Sequence, residues 1–82
     1  MYSVYVIRSL KDGRFYTGQT EDLSRRLSEH NKGIGPVRYT KGKGPWELVY
    51  KEEYPTRAES MAREKYLKTG AGRDFLKTKI SK

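Results

Sequence analysis

The sequence predicts a small α+β domain: a three-stranded mixed or antiparallel sheet with helices packed around it, in the order ββαβαα. Three observations carry that expectation. Tyr, Val and Ile crowd residues 2–9, the same style continues over 14–19, and a Lys11-Asp12-Gly13 turn lies between them. Leu23 and Leu27, four residues apart, follow at helical spacing. Eighty-two residues leave room for one domain, 1–82, with a modest core.

The hairpin has two possible registers. A four-residue turn over 10–13 pairs Ser9 with Arg14 and sets Tyr5 opposite Gly18, with Tyr5 and Tyr16 on one face. A three-residue turn pairs Leu10 with Arg14 and parts the two tyrosines, unless a bulge repairs the register. Thr20 reads as the cap of the first helix, with Asp22 in its first turn and Asn31 and Gly33 at its end. Gly33, Gly35, Pro36, Gly42, Gly44 and Pro45, mixed with Arg38, Lys41 and Lys43, mark a basic loop. Trp46/Leu48/Tyr50 alternate with Glu47/Val49/Lys51 in a third strand ending at Tyr54. A second helix is expected over 57–68, its inward arc formed by Ala58, Met61 and Ala62 and its end marked by Gly70. On that arc Lys65 falls inside and Leu67 outside. A short third helix is expected over 73–80.

Composition narrows the function. Charged residues make up 34% and mean hydropathy is −0.97, but 12% aromatic content argues for a folded domain. Eighteen Lys and Arg against ten Asp and Glu give +8, which favours a polyanionic partner, nucleic acid first. A membrane surface is the poorer fit, since no segment combines a continuous basic face with a bulky apolar one. The absence of cysteine excludes disulfides, thiolate metal sites and Cys nucleophiles, and His30 is the single histidine. Met1 runs directly into the first strand without a leader pattern, and no apolar run approaches the ~18 residues of a span, so a cytoplasmic protein is expected. The sequence leaves oligomeric state open.

Several residues stand out as candidates. Strand tyrosines ordinarily pack with a wet hydroxyl, but the strand glycine Gly18 marks a close approach beside Tyr5 and Tyr16. On the first helix Arg26 and His30 stack at i, i+4 on the margin of the Leu23/Leu27 face, whereas Arg25 points away as a solvated charge or phosphate contact. Taken singly, Arg26 reads as a stem covering apolar surface and His30 as a helix-end histidine. Glu64, on the margin of the second helix's inward arc, has an ordinary role open to it as the i, i+4 partner of Lys68.

Together, Val4-Tyr5-Val6, Lys11-Asp12-Gly13, Tyr16-Thr17-Gly18, Asp22-Leu23-Ser24-Arg25-Arg26-Leu27 and Glu29-His30-Asn31 resemble the GIY-YIG nuclease superfamily. The likeness is greatest to its small stand-alone bacterial type, related to the nuclease domain of the excision-repair protein UvrC. It continues through Tyr39-Thr40, Pro45-Trp46-Glu47-Leu48-Val49, Ala62-Arg63-Glu64-Lys65 and Gly72-Arg73. Ser3-Val4-Tyr5 stands where the family has GIY and Tyr16-Thr17-Gly18 where it has YIG. By that match Arg26 is the helix arginine, Glu64 the metal-binding glutamate, and His30 holds a position that some members fill with tyrosine. Gln19 stands where the excision-repair relatives carry lysine, and their late asparagine has no counterpart.

The resemblance implies a metal-dependent endonuclease hydrolysing DNA phosphodiesters, in a repair or recombination setting. Glu64 would hold Mg²⁺ or Mn²⁺, which takes one or two protein carboxylates and relieves charge on phosphate and leaving oxygen. Arg26 would grip a nonbridging phosphate oxygen. Tyr5 or Tyr16 would take the proton of the attacking water, although a phenol near pKa 10 is a weak base at neutral pH. Arg25, Arg38, Lys41 and Lys43 would hold backbone phosphates without reading sequence. Larger relatives append DNA-binding domains, so target choice here would come from DNA structure or a targeting protein. Two rival readings are a nucleic-acid-binding module without useful turnover and an RNA- or ribosome-associated protein. An acidic residue facing phosphate serves neither rival.

Overall fold

The computed structural model describes residues 1–32 and 44–80. Strands β1 (Tyr2–Ser9) and β2 (Phe15–Thr20) are followed by α1 (Leu23–Lys32), β3 (Trp46–Tyr54), α2 (Arg57–Leu67) and α3 (Gly70–Lys79). The sheet is antiparallel throughout, in the order β2-β1-β3, which puts the most apolar strand at its centre.

Turn chemistry decides the hairpin register. The Ser9 amide donates to the Arg14 carbonyl at 2.8 Å and the Gly13 amide to the Ser9 carbonyl at 2.9 Å, closing the four-residue turn. Ser9 Oγ accepts from the Lys11 and Asp12 amides, Asp12 Oδ1 accepts from Arg14, and Gly13 takes the positive φ of 77° that favours glycine. Tyr5 therefore lies opposite Gly18 and Ile7 opposite Tyr16.

The two faces of β1 build two clusters. Tyr5 and Ile7 pack with Trp46, Tyr16, Leu23 and Leu27 beneath α1. Val4 and Val6 pack with Leu67 and Leu76, flanked by Val49, Tyr50, Tyr54, Phe75 and Ile80, beneath α2 and α3. Every one of Val4–Ile7 is at most 1% exposed, so β1 is covered on both sides. A register shift between Val6 and Ile7 breaks the expected alternation of β3, and Trp46 and Tyr50 end on opposite faces.

Other expectations need correction. Asp22, rather than Thr20, caps α1: its Oδ1 accepts from the Arg25 amide, while Thr20 Oγ1 receives the Asp22 amide. Asn31 lies within α1 and clamps β3, its Oδ1 accepting from the Trp46 amide at 2.6 Å. Ala58, Met61 and Ala62 are exposed; α2 instead turns Ser60, Arg63, Glu64 and Leu67 inward, with Lys65 outside. Gly70 opens α3, whose cap is Thr69. Gly72 faces the backbone of Tyr66 and Leu67 so closely that a Cβ would not fit, which lets α3 press against the end of α2. Residues 33–43, including Arg38, Lys41 and Lys43, lie outside the described residues.

Candidate active site

The Tyr5 hydroxyl and His30 Nε2 are hydrogen-bonded at 2.9 Å, within a trio of rings completed by Tyr16. Ring centroids lie 6.4 Å apart for Tyr5–Tyr16, 5.8 Å for Tyr5–His30 and 5.2 Å for Tyr16–His30. Hairpin register and helix phase together create this trio. Tyr5 and Tyr16 share the α1 face because the turn has four residues, and His30 is the buried residue of α1. Gly18 makes room for it. A Cβ there would stand 2.5 Å from the Tyr5 hydroxyl oxygen, so this glycine seats the tyrosine itself.

Burial sets the protonation states. It is the largest influence on the Tyr5 phenol and pushes it well above the ordinary range; Tyr16, Glu64 and Glu29 add to the shift and Arg26 opposes it. Burial, aided by the Arg26 charge, pushes the His30 imidazole below its ordinary value of 6.5, against the pull of Glu29. Both groups are thus neutral at neutral pH.

Arg26, on α1, acts on Tyr5 and His30 through its charge, its Nε 3.1 Å from Glu29 Oε1 in an ion pair that lacks hydrogen-bond alignment. Glu29 also takes the Arg25 Nε at 3.1 Å, leaving the Arg25 side chain largely exposed. Glu64, on α2, acts on the Tyr5 phenol through its charge. Its carboxylate accepts from Lys68 Nζ at 2.9 Å, and that ammonium lies 5.9 Å from the centroid of the Tyr16 ring. Arg26 lines one surface hollow with Tyr2, Gln19 and Arg57, Tyr16 and Lys68 line another, and Tyr5 and Gly18 line neither.

Sequence reasoning passed over two charged neighbours, Glu29 and Lys68, as parts of the site. The signal for both was their i+3 or i+4 spacing from Arg25, Arg26 and Glu64. Among the described residues no three His, Cys, Asp or Glu side chains cluster to form a metal cage. Glu64 is a single, quarter-exposed oxygen donor neutralised by one ammonium. That donor chemistry fits a hard divalent cation that keeps most of its waters.

Comparison with known proteins bears on family and fold. The GIY-YIG catalytic domain profile matches residues 1–77. A UPF0213 protein of Halobacterium salinarum is 44% identical over 68 residues, covering 83% of this chain and 86% of its own. One from Staphylococcus saprophyticus is 39% identical over 74 residues, covering 90% and 88%. The solution structure of a UPF0213 protein from Bacillus halodurans superposes with a TM-score of 0.53 at 37% identity, covering 93% of this chain and 82% of that one. The chain belongs to the GIY-YIG family of nuclease domains and is similar to its small UPF0213 members.

Proposed function

We propose that this protein is a metal-dependent DNA endonuclease, with Tyr5, Tyr16, Arg26, His30 and Glu64 as its machinery. The observation that carries the reading is the Tyr5–His30 hydrogen bond inside the tyrosine trio, with Arg26 and Glu64 both acting on the Tyr5 phenol. A raised phenol cannot act as a phenolate at neutral pH. A neutral imidazole beside it removes the difficulty. When Nε2 is the bare nitrogen, Tyr5 donates its proton to His30 as its oxygen takes one from the attacking water. The effective base is then an imidazole, whose pKa lies far closer to neutrality than that of a phenol.

Arg26 binds a nonbridging oxygen of the scissile phosphate with its planar fork, and Glu29 holds that guanidinium in place. Glu64 holds a divalent ion, Mg²⁺ or Mn²⁺, which supplies charge relief at the phosphate and the leaving oxygen. Lys68 is the counter-ion of Glu64 before that ion binds. Arg25, Arg38, Lys41 and Lys43 hold neighbouring backbone phosphates. DNA repair or recombination is the setting in which such an activity serves, with DNA structure or a targeting protein selecting the site.

The test is a cleavage screen of single-stranded, duplex, flapped and branched DNA and RNA, with and without Mg²⁺ or Mn²⁺. Metal-dependent cleavage of a DNA substrate, abolished in Glu64→Gln, is expected. No cleavage of any substrate by the wild type would favour a binding module instead.

A further inference from the structure

A second basic surface begins where the catalytic trio ends. The hollow lined by Tyr16 and Lys68 runs on between the hairpin end of the sheet and α3, past Phe15, Arg14, Arg73 and Lys77. Five cationic side chains line it, Arg8 among them, and none of the described lining residues is acidic. Arg8 is committed to a cross-strand pair with Glu47. Arg14 and Lys77 stay exposed, each with a carboxylate no nearer than 3.9 Å, and Arg73 has no ion-pair partner among the described residues. Phe15 is 46% exposed amid these cations.

We propose that this hollow binds a single-stranded stretch of DNA adjoining the scissile phosphate, with an unpaired base stacked on Phe15 and its phosphates on Arg14, Arg73 and Lys77. The positive lining calls for a polyanion, but cations alone would serve a duplex equally. Phe15 makes the distinction. A duplex buries its base faces, whereas an unpaired strand presents them, and an exposed phenyl ring beside lysines and arginines is what such a strand uses. Continuity supplies the direction, because Tyr16 belongs both to the trio and to the hollow, and Lys68, 5.9 Å from the Tyr16 ring centroid, lines the hollow beside it. This rests on the nuclease reading in placing the scissile phosphate at the trio.

The test is fluorescence anisotropy of labelled oligo-dT, oligo-rU and a duplex of equal length, with chelator present so that binding is read without cleavage. Wild type should bind oligo-dT more tightly than the duplex. Phe15→Ala should weaken oligo-dT at least about fivefold and leave the duplex unchanged, while Phe15→Trp keeps the affinity. Arg73→Ala with Lys77→Ala should flatten the salt dependence for oligo-dT by about 0.7 log units of slope per lost contact. Phe15 is half-exposed, and thermal melts verify that each variant is folded. Equal binding of oligo-dT by folded Phe15→Ala, equal losses on duplex and single strand, or tighter binding of oligo-rU would each overturn the proposal. If cleavage fails while the Phe15 effect holds, the nuclease reading falls and this site stands; the reverse result removes the site and leaves the nuclease.

Discussion

The two sides of the sheet hold ionisable groups, in part or wholly buried, that have been treated in opposite ways. Beneath α1, Tyr5 and His30 are kept neutral, and their one shared hydrogen bond is a path for a proton. Beneath α2 and α3, Glu52 is kept charged. Burial alone would push its carboxyl up, but donors from Arg63, Tyr50 and Tyr54 outweigh this and hold it below its ordinary 4.5. Arg63 reaches it twice, at 2.9 and 3.1 Å, and the Tyr54 hydroxyl at 2.6 Å, while the Tyr50 phenol, raised chiefly by burial, is pushed up to about 12. A carboxylate with every donor in place is a structural fastener between β3 and α2. A neutral pair with a transferable proton is, on the proposed reading, where the chemistry lies. The proposed reading thus assigns activity to the Tyr5–His30 pair and stability to the Glu52 cluster across the sheet.

If that division holds, substitutions should separate cleanly by face. The largest effect is expected at Arg26. Arg26→Ala removes the phosphate ligand and should cost on the order of 10²–10³ in cleavage rate, with the folding midpoint moved by less than about 1 kcal/mol. Rate assays paired with urea titrations read both quantities. Next comes Leu67, 1% exposed in the other cluster. Leu67→Ala should destabilise by about 2–5 kcal/mol, a large share of the total for a domain this size, while the folded fraction cleaves as before.

Acid pH gives the smallest and most diagnostic effect. His30 has a folded pKa below 6.5, so the unfolded chain takes up its proton first as pH falls. Stability should therefore be full above 6.5 and decline below it until the folded value is passed. Cleavage should decline through that folded value as the imidazole protonates. Glu52 stabilises above 4.5 and loses its contribution as pH falls through its own depressed value. Urea midpoints against pH should show both steps, with the upper one missing from His30→Gln and the lower one from Glu52→Gln.

The sequence was most informative where local chemistry is strong. The Lys11-Asp12-Gly13 turn announced the hairpin, and Leu23 and Leu27 gave the inward face of α1, where His30, expected at its margin, is the buried residue. It was least informative on α2, whose inward face carries Ser60, Arg63 and Glu64 and a single leucine. Hydrophobic spacing followed the apolar residues Ala58, Met61 and Ala62 to the wrong side, because Arg63 is drawn inward by Glu52, a residue eleven positions away on β3. The bulge that parts Trp46 from Tyr50 is likewise set by pairing with β1 and leaves no local mark. Gly70 looked like the end of α2, yet it opens α3, where Gly72 is the contact that lets two helices meet. For the site, the residue types were legible as a constellation, whereas Tyr5's burial and the roles of Glu29 and Lys68 depend on packing.

The account's central claim is most directly tested by making one substitution twice, Glu→Gln at position 64 and at position 52, and measuring cleavage and urea stability on both proteins. Glu64→Gln should lose cleavage by orders of magnitude while its stability stays within about 1 kcal/mol of wild type. Glu52→Gln should lose about 1–3 kcal/mol of stability while its folded fraction cleaves at the wild-type rate. Wild-type cleavage by a folded Glu64→Gln protein, or loss of cleavage by Glu52→Gln at undiminished stability, would contradict the division of labour between the proposed site and the Glu52 cluster.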